Sequence, residues 1–136
     1  MEAATCPFEK AILSVRCTCE LSTRRVVAER MNAACRDAAA ARQCRTLLAL
    51  LHERARFAVK AAGPVESLPF GKKMKVMVGG LTGLQAVISP AAPATPVENV
   101  YRLVTTAVER FGDLERLPYD EIVQTIRTTP GRPPRG

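Results

Sequence analysis

The stretch from Asp37 to Ala62 constrains the fold more than any other part of the chain. Asp37 is a strong helix N-cap and Gly63-Pro64 is a strong stop, so one helix is predicted over 38–62. On a wheel of about 100° per residue, Cys44, Leu47, Leu48, Leu51, Ala55, Ala58 and Val59 share one face. Arg42, Arg45, His52, Glu53 and Arg56 share another, which makes His52 a solvated surface histidine. An apolar stripe of this length needs other elements to cover it.

The remaining elements are shorter. Ala11, Leu13 and Val15 alternate with their neighbours and predict a strand over 10–17, with Cys17-Thr18-Cys19 at its end. Ser22 or Thr23 can cap a helix from Arg24 to about Asn32. A loop is expected over 64–71. Met74, Val76 and Val78 predict a strand over 73–78, Gly79-Gly80 a turn, and 84–88 a further strand or a short helix. The proline-rich run 90–96 reads as a stiff connector. Two helices follow, over 97–111, ended by Gly112, and over 119–128, opened by Pro118. The expected fold is therefore α+β: a small antiparallel sheet packed on a long helix, with two C-terminal helices. One domain spans 1–128, with a Cys/Arg-rich half over 1–62. Residues 129–136 form a basic, proline-rich tail with no means of packing.

Charge and cysteine share one region. The chain carries +7, and between Lys10 and Lys60 eleven basic residues face four acidic ones. All five cysteines, Cys6, Cys17, Cys19, Cys35 and Cys44, also lie in the first 44 residues. The start of the chain lacks the basic-then-apolar layout of a secretory signal, and the weakly polar run 76–88 is too short to span a bilayer. A cytoplasmic protein is expected. In a reducing cytosol stable disulfides are disfavoured, so the thiols need another explanation.

Cys17, Cys19, Cys35 and Cys44 supply the four thiolates that a tetrahedral zinc site or an iron–sulfur cluster requires, with Cys6 as a fifth candidate. Cys35 stands just before the long helix, whose free amides favour a thiolate. Cys44 lies about 10 Å further along that axis, a span that suits a cluster better than a single zinc ion. Arg16, Arg36 and Arg45 flank these cysteines and would offset the negative charge of a thiolate-bound centre. Two other readings use the same residues: buried cysteines acting as small hydrophobes, and a redox-active pair at Cys17 and Cys19.

Other constellations are weaker. The carboxylate pairs Asp113/Glu115 and Asp120/Glu121 sit at helix starts, where they complement the dipole. The run 78–84 is glycine-rich but lacks the spacing of a nucleotide-binding loop. The arginines do not fall on one helical face and few aromatics accompany them, which disfavours nucleic acid as a partner. No acid–base or nucleophilic machinery stands out. The expectation is a small iron–sulfur carrier with an electron-transfer, redox-sensing or accessory role alongside a protein partner. The alternative is a metal-free basic module that binds an acidic protein or nucleic acid.

Overall fold

A computed structural model describes residues 4–59, 68–91 and 96–130. A two-residue strand β1 (Ala4–Thr5) leads into a single-turn helix α1 (Glu9–Leu13). Strands β2 (Ser22–Val27) and β3 (Arg30–Cys35) form a hairpin, and β1 adds to the free edge of β3. Ala4 lies opposite Cys35, and Ser22 lies opposite the same residue on the other side, so the sheet is antiparallel throughout.

The helices complete the architecture. Helix α2 (Ala38–Ala55) is capped by Asp37, whose Oδ1 accepts from the backbone N–H groups of Ala39 (2.9 Å) and Ala40 (3.1 Å). Helix α3 (Phe70–Ile88) follows. Helix α4 (Val100–Phe111) is capped by Asn99 and ends at Gly112, which adopts φ of 93°. A short 3-10 turn (Leu114–Arg116) leads to α5 (Tyr119–Thr128). The fold is α+β, with a small antiparallel sheet, a long helix and C-terminal helices, as the sequence implies. No helix among the described residues is long and apolar enough to cross a membrane.

Several elements differ from expectation. Residues 10–17 do not form a strand: α1 occupies the first part and a turn the rest. Residues 24–32 are not helical but form most of the β2–β3 hairpin. The strand expected over 73–78, the Gly79-Gly80 turn and the strand or short helix over 84–88 are all part of the single helix α3, so only the helical alternative for 84–88 holds. This helix packs against α1, α2, α4 and α5 at once, so it is apolar on nearly every side and shows no amphipathic period. Its glycines let neighbours approach closely: a Cβ on Gly83 would stand 3.1 Å from Ile122 Cα, and one on Gly80 2.5 Å from Leu51 Cδ1. The helix expected over 38–62 is regular to Ala55, and 60–62 lie outside the described residues, as do 92–95 of the connector and 131–136 of the tail.

Candidate metal centre

The cysteines arrive from four different places. Cys6 follows β1, where its backbone N–H donates to Ala33 O (3.1 Å) and its carbonyl accepts from Glu9 N–H (3.0 Å). Cys17 and Cys19 lie in the segment between α1 and β2. Cys35 ends β3, and Cys44 sits on the buried face of α2.

The Cys17–Cys19 segment is fastened to the start of α4. Cys17 forms a parallel bridge with Val97. Thr18 N–H donates to Val97 O and Val100 N–H donates to Thr18 O, both at 2.9 Å. The Thr18 hydroxyl donates to Glu98 O. Glu20 N–H donates to Asn99 Oδ1 (3.3 Å), and Asn99 Nδ2 returns a bond to Glu20 Oε1 (2.9 Å). Contacts some 80 residues apart in sequence thus hold both thiols in place.

Four of the five cysteines are buried, Cys17 to 1% exposure, and Cys19 is half-buried. All are free thiols. Burial, which disfavours the thiolate, pushes Cys17 and Cys44 up to about 12 from an ordinary 9.0. Burial also raises Cys6, to about 11, against the lowering effect of a bond from the Phe8 backbone. Neighbouring thiols add to each rise: Cys19 and Cys35 on Cys6; Cys6, Cys19 and Cys44 on Cys17; Cys6, Cys19 and Cys35 on Cys44. Cys6, Cys17 and Cys44 thus each feel two or more other thiols, while Cys35 packs in a separate small cluster with Ala40 and Ala41. As they stand, no group of three His, Cys, Asp or Glu side chains among the described residues is arranged to hold a metal ion.

The arginines do not surround the thiols as expected. The charged groups acting on Cys6, Cys17 and Cys44 are other cysteines and Glu9, with no guanidinium among them. Arg16 donates to Pro130 O (3.0 Å), Arg24 to Ile12 O (3.3 Å) and Arg36 to Glu20 O. These side chains tie backbone carbonyls, two within the N-terminal half and one at Pro130, a use that suits the planar, multi-donor guanidinium. Arg45 does come near: with Lys10 and Lys73 it lines a pocket of about 410 Å³ whose wall includes Cys6.

His52 is also misplaced by the sequence. It is buried, with Nε2 lacking a hydrogen-bond partner among the described residues. Leu48 and Ala55, four residues before it and three after, are both buried, so the apolar stripe of α2 is wider than the wheel suggests. Cys6 is the site residue the spacing treats as peripheral. Its place near the other thiols follows from β1 pairing with β3, a long-range contact that no local motif encodes.

No family model, no curated protein and no solved structure matches this chain.

Proposed function

We propose that the protein binds an iron–sulfur cluster through its N-terminal thiols, with ligands drawn from Cys17, Cys19, Cys35, Cys44 and the adjacent Cys6. The observation that supports this reading is that five free thiols come from the N-terminal half, four of them buried, and that Cys6, Cys17 and Cys44 each act electrostatically with other thiols. The donor set is all sulfur, which suits iron–sulfur chemistry, with zinc as the lesser option. Loading has to draw the sulfurs together and remove their protons. A reducing cytoplasm is the compartment that keeps such thiols unpaired. The role that fits is electron transfer, redox sensing or assistance to a larger protein complex.

The competing reading is a metal-free interaction module with structural cysteines. It draws on the raised thiol pKa values and on the Cys35 thiol donating to Asp37 O (3.2 Å). Purification without oxygen separates the two. Brown protein that absorbs at about 400 nm and contains iron and sulfide supports the cluster. Colourless protein free of iron and zinc overturns it.

A further inference from the structure

The pocket of about 410 Å³ opens between α1, α2 and α3, and its wall is unevenly charged. Three cations, Lys10 of α1, Arg45 of α2 and Lys73 of α3, share that wall with a single acid, Glu9. Among the described residues none of the three forms an ion pair. Lys10 Nζ stands 5.6 Å from the centre of the Phe70 ring, a contact that holds the ammonium without neutralising it. We propose that this pocket binds a small amphipathic organic anion, with its head group at Lys10, Arg45 and Lys73 and its apolar body over Leu48 and Met77. This inference is independent of the metal-binding reading above.

Two helices arrange the halves of the site. A Cβ on Gly80 would stand 2.5 Å from Leu51 Cδ1, so α2 and α3 meet closely there. One turn back along each helix come Leu48 and Met77, and about one turn further back come Arg45 and Lys73, all four in the pocket wall. Both helices therefore pass from cation to buried apolar side chain in the same direction, which sets a charged layer beside an apolar one. Methionine adapts its shape to an apolar guest. The volume lies in the range of small-molecule sites, where a largely apolar lining carries a few polar groups that orient the ligand.

The cations set the head group. The Arg45 guanidinium offers paired N–H donors to a carboxylate or phosphate, and the two ammonium groups add point charges. Cys6, in the same wall, is pushed up to about 11 by burial, so at neutral pH its thiol is uncharged and does not repel an anion. A bare inorganic anion would leave Leu48 and Met77 uncovered. A neutral chain would leave three cations without a counter-charge. An amphipathic anion answers both.

Calorimetric titration of the full chain with octanoate, octyl phosphate, octanol and inorganic phosphate tests the proposal. Saturable binding of octanoate or octyl phosphate at a single site is expected, and the tighter of the two names the head group. Octanol and inorganic phosphate should bind at least about tenfold more weakly, as should the octyl anions to Lys10→Ala combined with Arg45→Ala. Both substitutions lie at exposed positions, and circular dichroism and thermal melting establish that the variant is folded. Arg42→Ala removes an exposed charge from α2 outside the pocket and should change the affinity by less than about twofold. Octanol or inorganic phosphate binding as tightly as the octyl anions overturns the proposal. So does unchanged affinity in the folded double variant, or an equal loss in Arg42→Ala, which would make the attraction one of net charge. A parent that binds neither octyl anion saturably overturns it outright. Should the double variant fail to fold, the comparison of the four ligands decides.

Discussion

The Cα of Ile126 in α5 lies so close to Gly79 in α3 that a Cβ built on the glycine would stand 2.7 Å from it. Ile126 Cα is backbone, so no rotamer change relieves the clash. Gly79→Ala gains about 1 kcal/mol of helix propensity but has to force the two helices apart, at roughly 1–3 kcal/mol. The expected outcome is a lower denaturation midpoint. Gly71, in the first turn of the same helix, has nothing within 4 Å of its would-be Cβ. Gly71→Ala should raise stability by about 0.5 kcal/mol. Urea titrations of the two variants check the contrast, and equal effects would refute the close-packing account.

The β2–β3 turn carries strain that substitution can relieve. Val27 pairs with Arg30, leaving Ala28 and Glu29 as a two-residue loop with φ of 51° and 68°. Both lie in the left-handed region, which asparagine and glycine tolerate better than alanine and glutamate. Ala28→Asn combined with Glu29→Gly should stabilise the protein by about 1 kcal/mol in thermal or urea unfolding. A destabilised double variant would mean that the hairpin is wrongly placed.

That turn also shows where the sequence stops being informative. Helices α2, α4 and α5 are legible because each has an amphipathic face and a recognisable boundary: Asp37, Gly112 and Pro118, although α4 starts at Val100 and not at 97. The hairpin is not, because Ala28-Glu29 lacks the residues that usually announce a two-residue turn. Helix α3 is hidden for the opposite reason. Surrounded by other helices, it has no polar face to reveal its period, and its glycines imitate a turn. At the site, Cys17 and Cys19 are neighbours by spacing alone. The placement of Cys6 depends on strand pairing between residues some 30 apart, and the strap between 17–20 and 97–99 spans most of the chain. Long-range pairing, unlike capping or periodicity, leaves no local signature.

The thiols make the metal-free protein alkali-sensitive. In the unfolded chain they titrate near 9.0, whereas in the fold Cys6 is held at about 11 and Cys17 and Cys44 at about 12, burial being the main cause. Above pH 9 the unfolded state loses protons that the folded state keeps, so stability falls as pH rises. Each thiol contributes a slope of about 1.4 kcal/mol per pH unit at most. Below pH 9 these groups leave stability unchanged. Denaturant midpoints of metal-free protein between pH 8 and about 10 should show this loss, before buried Tyr119, raised to about 12, begins to add its own. Cys17→Ala with Cys44→Ala should flatten the profile, and an already flat parental profile would contradict the buried, protonated thiols.

The same protons oppose metal capture. A thiol held at about 11 or 12 has to ionise before its sulfur can coordinate, so binding of a soft cation releases one proton per ligating thiol. Each ligating thiol held so high raises the affinity by up to about one power of ten per pH unit throughout the neutral range. Cadmium serves as the probe because it binds thiolate strongly and does not change redox state. Calorimetry in two buffers of different ionisation enthalpy counts the protons directly, and about four per cadmium are expected near pH 7. Replacing one ligating cysteine by alanine should lower the count by about one. Release of one proton or fewer by the parent would show that the clustered thiols do not act together as ligands.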